Sequence, residues 1–239
     1  MKKNSIKDKA PYQILFEDNH LLVINKACGV LVQGDKTGDL SLVDLLKTYI
    51  KQTYHKPGNV YLGVVHRLDR PTSGVVVFAK TSKALSRLNE DFKQRRVAKT
   101  YHCLVSGKPV PSQGHLHHWL VRKPQHNKSY AHVKPVPQAK EAKLRYSTYY
   151  CWDHYSCLEI ALETGRHHQI RSQLSKIGHP IKGDLKYGAK RSNPDGGIDL
   201  HARKLVVSHP TLKKEMQFIA PYPKGSLWDD VASVSSVGP

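Results

Sequence analysis

One carboxylate in this sequence has strongly basic neighbours. Asp69 lies between Arg67 and Arg70 in the stretch HRLDRPTSG. Proline fixes φ and glycine permits positive φ, so residues Pro71–Gly74 predict a turn. The apolar run Val75–Phe78 then predicts a buried strand. A lone acid between two arginines on a constrained loop is a candidate reaction centre. A structural ion pair that caps a turn explains these residues equally well.

Two further segments carry residues suited to chemistry. Tyr101 stands in VAKTYHCLVSG, a predicted strand, where a half-buried tyrosine is also an ordinary packing feature. In TGRHHQIR we predict a helix with Thr164 as N-cap, which places His168, the histidine before it and Arg171 near one face. Arg166 and the helix N-terminus add positive character, a setting suited to a phosphate. The alternative is a basic, solvated helix face.

Other kinds of reaction centre have weaker support. GDLKYG has the glycine spacing of a phosphate loop but lacks the lysine and hydroxyl residue that should follow, and no GxGxxG occurs. The histidines number 15, yet HLHH and the later HH pair have no carboxylate or cysteine at ligand spacing, so we expect no metal site. No serine lies in a GxSxG elbow.

Strands are the main elements that must position these residues. The pattern predicts a hairpin around EDNH, one helix that begins after Ser41 and another that is capped by Thr81 or Ser82. Later strands are predicted at 97–106, 155–162 and 215–219, and LHARKLVVSHP leads into a further strand. The basic segment 121–140 is interrupted by prolines and predicts a loop that is mobile or faces a bound partner. Without a βαβ rhythm, we predict a single α+β domain with a mixed and mostly antiparallel sheet flanked by helices and loops. It should span residues 12–230, between a basic arm (1–11) and a disordered tail (231–239).

The charge of the chain points to a polyanionic partner. Its 239 residues include 38 Lys plus Arg against 19 Asp plus Glu, a formal net charge of +19. RNA or DNA is the first candidate and an anionic membrane surface the second. The four cysteines show no paired spacing, and we expect buried free thiols in a reducing compartment. No window approaches the ~20 apolar residues of a membrane span, so we expect a cytoplasmic protein.

Together the motifs resemble the RluA-type family of RNA pseudouridine synthases. HRLDRPTSG is similar to the family's HRLDxxTSG motif, NKACGV to its NKPxGL motif, and AKTYHCLVSG to its tyrosine strand. LETGRHHQIRSQLSKIGHPIKGDLKYG and DLHARKLVVSHP resemble its C-terminal elements. The resemblance runs in order from about Tyr12 to about Trp228, with Ala27 where the family usually has proline. The sequence starts directly with this domain and not with an S4-like domain, so we expect the stand-alone subgroup.

The resemblance implies that uridine in rRNA or tRNA is converted to pseudouridine in a central active-site cleft. The N1–C1′ bond breaks, the uracil turns, and the base rejoins the sugar through C5. Asp69 is then the catalytic residue, Arg171 pairs with it, and Tyr101 stacks on the uracil and helps to remove the C5 proton. Whether Asp69 attacks C1′ or abstracts a sugar proton to give a glycal stays open.

The resemblance also suggests how the RNA is held. Arg67 is expected to fill the place of the flipped base, Arg70 to act on the local field around Asp69, and Arg166 and His168 to contact RNA. We expect no metal or organic cofactor because the isomerisation is redox-neutral. We further expect a monomer that binds RNA and neither DNA nor a membrane. The main rival hypothesis is a non-catalytic RNA-binding protein that retains the fold.

Overall fold

Strands predominate in the chain, as the alternating apolar pattern predicts. The computed structural model describes residues 10–235, and only the backbone of residue 235. In this part the strands are β1 (Tyr12–Glu17), β2 (Leu21–Lys26), β3 (Gly63–Val64), β4 (Ser73–Ala79), β5 (Ala98–Ser106), β6 (Gln113–Lys123), β7 (Lys128–His132), β8 (Lys140–Cys151), β9 (Tyr155–Leu162), β10 (Leu200–Ser208) and β11 (Glu215–Ile219). The helices are α1 (Leu42–Thr53), α2 (Ser82–Lys93), α3 (Gln169–Lys176) and α4 (Ser226–Ser235). Single 3-10 turns lie at Pro124–His126 and Leu185–Tyr187.

The strands form one mixed sheet. Its order is β1-β2-β4-β10-β5-β9-β8-β6-β7, with β11 also paired to β10 and β3 to β4. Among the described strands every pairing is antiparallel except β4 with β10. The prediction of a single α+β domain with a mostly antiparallel sheet is therefore confirmed.

The parallel contact between β4 and β10 is a short seam. Its register consists of two residue pairs, His201 with Ser73 and Ala202 with Gly74. Gly74 has φ +116°, and a Cβ atom there would lie 2.3 Å from the carbonyl oxygen of Ala202. Only glycine permits this approach. The catalytic-loop candidate enters the sheet at this point.

Helices α1 and α3 cover one face of the sheet and leave a cleft between them. The predicted caps of α1 and α2 are confirmed, since Ser41 accepts from the N–H of Asp44 and Thr81 from that of Ala84. Tyr101 packs against both the apolar cluster that contains the α1 residues and the one that contains the α3 residues. Its ring therefore lies at the cleft, between the two helices.

Two predicted loops differ from the structure. The turn predicted over Pro71–Gly74 lies earlier, because the N–H of Thr72 donates to the carbonyl of Asp69 at 3.0 Å and strand β4 already begins at Ser73. The segment 121–140, predicted to be a loop, contains the end of β6, all of β7 and a 3-10 turn between them. Asn127, in the left-handed region at φ +43°, closes that turn and lets the chain return as a hairpin.

The chain termini and the cysteines need similar corrections. The predicted disordered tail is wrong for residues 231–235, because α4 continues through them and Val231 is fully buried beside Trp228. Residues 1–9 of the predicted arm and 236–239 of the predicted tail lie outside the described residues.

All four thiols are free, but Cys151 is exposed and Cys28 half-buried, so burial was predicted correctly for two of them. No helix in the described part is long and apolar enough to cross a membrane.

Candidate active site

The loop that carries Asp69 is held from below by a buried lysine. Lys26, at the end of β2, has no exposed surface and donates to the carbonyls of Ala27, Arg70 and Thr72 at 2.9, 3.1 and 2.7 Å. Burial lowers the pKa of Lys26 to about 7, although the negative charge of Asp69 opposes this. The bonds to Arg70 and Thr72 fix the backbone that follows the aspartate, and the bond to Ala27 ties that backbone to the end of β2. No role was assigned to Lys26 from the sequence, and the only sequence feature that points to it is its place in the NKACGV motif.

The segment before α3 is a turn and not the first turn of a helix. The Gln169 side chain accepts from the hydroxyl of Thr164 at 2.8 Å and from the N–H of Arg166 at 2.9 Å. The prediction of Thr164 as N-cap is therefore wrong, because its hydroxyl is used by this turn. His168 is the residue before the helix, at φ +51°, and α3 begins at Gln169. The left-handed backbone directs the histidine toward the cleft.

Asp69 and Arg171 meet as the sequence predicts. Arg171 Nη1 lies 3.0 Å from Asp69 Oδ2. The same guanidinium donates from Nε and Nη2 to Asp184 Oδ2 and Oδ1 at 2.7 and 2.9 Å. The side chains of Arg171 and Asp184 are 5% and 1% exposed, whereas that of Asp69 is 27% exposed. Asp184 thus clamps the guanidinium from inside while Asp69 faces the cleft.

Two carboxylates keep the buried guanidinium charged. Burial opposes the charge, but the hydrogen bonds and the negative charges of Asp184 and Asp69 outweigh it and raise the pKa of Arg171. Asp184 was missed in the sequence because GDLKYG was considered as a phosphate loop and as part of a family element, and its acid was given no role. An acid in a predicted loop after the arginine helix is its only sequence signal.

His168 approaches the same carboxylate oxygen. Its Nε2 lies 3.6 Å from Asp69 Oδ2, and its Nδ1 lies 2.9 Å from the hydroxyl of Tyr187. That hydroxyl accepts from the N–H of Ser129 at 2.8 Å. Burial, followed by the charge of Arg171, lowers the pKa of His168 to about 2, so the ring is neutral. We assign its proton to Nε2, since Tyr187 can then donate to Nδ1.

Tyr101 and apolar side chains form the floor of the cavity. The cavity has a volume of about 690 Å³, and Asp69, Tyr101, Leu162, Ile170 and Leu200 are among its lining residues. Burial raises the pKa of the Tyr101 phenol, and the charge of Asp69 adds to this, so the phenol is neutral. A flat apolar floor beside a carboxylate is suited to a planar base.

The four predicted RNA-contact residues have different surroundings. Arg67 and Arg166 line the cavity, and Arg67 is exposed. Arg70 also lines it, but its Nη1 pairs with Asp39 at 2.7 Å and its Nε donates to the carbonyl of Gly29 at 2.9 Å. The guanidinium of Arg70 thus forms these bonds away from Asp69 and Arg171. His168, the fourth, is buried beside the carboxylate.

Positive charge dominates the cavity lining. Besides Arg171, six cationic residues line it: Arg67, Arg70, Lys99, Arg122, Arg166 and Lys186. The acids in the lining are Asp35 and Asp69. In residues 10–235 no group of three His, Cys, Asp or Glu side chains is placed to hold a metal ion. The lining therefore complements a phosphate backbone.

A carboxylate against a buried guanidinium, next to an apolar floor and under a cationic rim, defines an enzyme that acts on a base within a polyanion. Residues 20–176 match the family model described as RNA pseudouridylate synthase. The chain belongs to the RNA pseudouridine synthase family, in its RluA-type branch, and is an isomerase.

Relatives and solved structures agree with this assignment. Ribosomal large subunit pseudouridine synthase D of Yersinia pestis is 32% identical, over 90% of this chain and 68% of the relative. Its namesake from Nitrosomonas europaea is 34% identical, over 94% of this chain and 64% of the relative. The fold is similar to that of Human RNA Pseudouridylate Synthase Domain Containing 4, with a TM-score of 0.75, 26% identity, and coverage of 92% of this chain and 91% of that one. The predicted family and fold are confirmed, and a non-catalytic RNA-binding protein is not favoured.

Proposed function

We propose that Asp69 is the carboxylate that acts on the ribose of a uridine in rRNA or tRNA. The observation that carries the proposal is the Asp69–Arg171 pair, 3.0 Å apart in the cavity that also contains Tyr101. Both Arg171 and the nearby His168 Nε2 approach the Oδ2 atom of Asp69. Its Oδ1 atom makes no hydrogen bond to another described residue and is the oxygen that meets the substrate.

The proposed reaction needs few protein groups. The N1–C1′ bond breaks, the uracil turns within the cavity, a C5–C1′ bond forms, and the proton on C5 leaves. The detached base is itself the next nucleophile, so one carboxylate suffices where a glycosidase uses two. Arg171 orients Asp69, and the neutral ring of Tyr101 stacks on the uracil and assists removal of the C5 proton. Attack at C1′ and formation of a glycal both use the free Oδ1 atom.

The target uridine must leave its stack to reach the cavity. Extrusion of a base costs a few kcal/mol, which phosphate contacts at the cationic rim offset. Arg67, at the exposed rim, occupies the place that the base leaves, and Arg70 and Arg166 contact the backbone. His168 contributes from beside Asp69. We further propose that the enzyme acts as a cytoplasmic monomer on RNA and not on DNA.

Tritium release tests the proposed role of Asp69. RNA labelled with [5-³H]uridine, from cells that lack the gene, serves as substrate, and loss of the C5 proton liberates tritium. Wild-type protein should release tritium and Asp69→Asn should not. Asp153→Asn is the matched control, since Asp153 is exposed and does not line the cavity. Full activity of Asp69→Asn would show the mechanism to be wrong, whereas wild-type protein that binds RNA without release would favour the binding-protein hypothesis.

A further inference from the structure

A second cavity adjoins the active site on the side of helix α1. Its volume is about 470 Å³, and it lies between α1 and the segment 62–67 that leads to Asp69. It shares Gln33, His66 and Arg67 with the catalytic cavity. An RNA strand that enters one cavity can therefore continue into the other.

The lining of this α1 cavity combines aliphatic and polar side chains, and polar atoms supply the larger part of its surface. Val43, Leu62 and Val64 are among the aliphatic residues. The volume lies in the range of about 300–1,000 Å³ that is typical of sites for small ligands. A planar base can pack a face against the aliphatic side chains and present its polar edge to the others.

Three polar side chains at the rim have no partner for hydrogen bonding. Gln33, Lys47 and Arg67 all line the α1 cavity. In residues 10–235 none of the three side chains makes a hydrogen bond or an ion pair. The acid nearest to Lys47 in sequence, Asp44, is used by the cap of α1, where it accepts from the N–H and hydroxyl of Ser41 at 3.0 and 2.6 Å. The rim thus presents two free cations and one free amide.

We infer that the α1 cavity binds a nucleotide of the same RNA that adjoins the target uridine. The base packs against the aliphatic side chains of the lining, and Lys47 contacts a phosphate next to it. The Gln33 amide offers both a donor and an acceptor to the edge of that base, which lets it discriminate between bases. Continuity with the catalytic cavity and complementary charge select RNA as the occupant. The inference rests on the proposed function and adds a determinant of sequence context to it.

A randomised substrate tests the subsite. Stem-loops with one fixed uridine and random neighbours are treated with enzyme, and pseudouridine is mapped by carbodiimide and primer extension. Wild-type protein should prefer one base at a neighbouring position by about tenfold, and Gln33→Ala should abolish that preference. Lys47→Ala should raise KM about fivefold, more than it lowers kcat, because a phosphate contact by this partly exposed cation contributes about 1 kcal/mol. Lys51→Ala, one turn further along α1 and exposed outside the cavity, is the matched control and should behave as wild type.

Binding selection separates this inference from the proposed function. The same stem-loops are selected for binding to Asp69→Asn protein, with and without Gln33→Ala, which needs no turnover. Base preference that disappears with Gln33→Ala supports the subsite even if no pseudouridine forms. Unchanged preference with Gln33→Ala, or equal KM values for Lys47→Ala and Lys51→Ala, would overturn it. Circular dichroism of each variant confirms that the fold is retained.

Discussion

Asp184→Asn should destabilise the fold more than Asp69→Asn does, although Asp69 is the proposed catalytic residue. Arg171 and Asp184 are 5% and 1% exposed and share two hydrogen bonds, so Asp184→Asn leaves a buried guanidinium without its main counter-charge. Breaking a buried ion pair from one side costs about 3–5 kcal/mol. The asparagine oxygen still accepts one hydrogen bond, and Asp69 remains as a counter-charge. We therefore expect the free energy of unfolding to fall by about 3 kcal/mol, which corresponds to a decrease of roughly 6–12 °C in Tm.

Asp69→Asn should lower stability far less. Its carboxylate is 27% exposed and holds the guanidinium by one hydrogen bond, so we expect a loss of about 1 kcal/mol or less. Activity should follow a different order. Asp69→Asn abolishes tritium release, whereas Asp184→Asn keeps the reacting carboxylate but loosens Arg171, and should lower kcat by about 10²-fold.

Urea unfolding and tritium release on the same preparations measure both effects. Asp184→Asn should be the less stable of the two variants and the more active one. Asp184→Asn as stable as wild type would refute the buried clamp. Equal destabilisation by the two substitutions would show that Asp69 holds the arginine as strongly as Asp184 does.

Two further predictions concern residues around the Asp69–Arg171 pair, and a third concerns His201, a buried histidine of β10. Arg171→Met should lose turnover far more than RNA affinity, because six other cations line the cavity; an equal loss in filter binding and kcat would place Arg171 in RNA binding only. Tyr187→Phe removes the hydroxyl bound to His168 and should cost about 1–3 kcal/mol in urea unfolding and reduce kcat with little change in KM; unchanged kcat would argue against the assigned tautomer. Burial lowers the pKa of His201 to about 3, so the unfolded chain takes up its proton first as pH falls below about 6.5. Stability should therefore fall by up to about 1.4 kcal/mol per pH unit for this histidine between pH 6 and 4, and His201→Gln should flatten the slope; an unaltered slope would contradict the burial argument.

Local signals predicted much of this fold correctly. The hydroxyls of Ser41 and Thr81 cap helices because the N–H groups that they satisfy lie three residues away, so the sequence contains both partners. Strand β9 was predicted at its observed bounds, Tyr155–Leu162, because strict alternation reports a strand with one buried face. The pairing of Asp69 with Arg171 came from the family resemblance, since 102 residues separate them.

The errors arise where a side-chain contact outside the repeating pattern of one element decides the structure. Thr164 looks like an N-cap, but the side chain of Gln169 captures its hydroxyl. Helix α4 has a weak local pattern and exists because Trp228 and Val231 pack against a cluster built by β5 and β9. Lysine is normally a surface residue, yet the ammonium of Lys26 donates to the carbonyls of Arg70 and Thr72, 44 and 46 residues later in the chain. Such contacts leave no periodic trace in a single sequence.

The parallel seam between β4 and β10 divides the active site between two halves of the sheet. Asp69 precedes β4, whereas Tyr101 and Arg171 belong to elements on the β5 and β9 side, and two registered residue pairs join β10 to β4. The Asp69–Arg171 bond therefore acts as a strut across the joint. The 3.0 Å pair needs both halves in place, because neither half contains both Asp69 and Arg171. The proposed catalysis therefore depends on the short contact between β4 and β10 as well as on the residues that line the cavity.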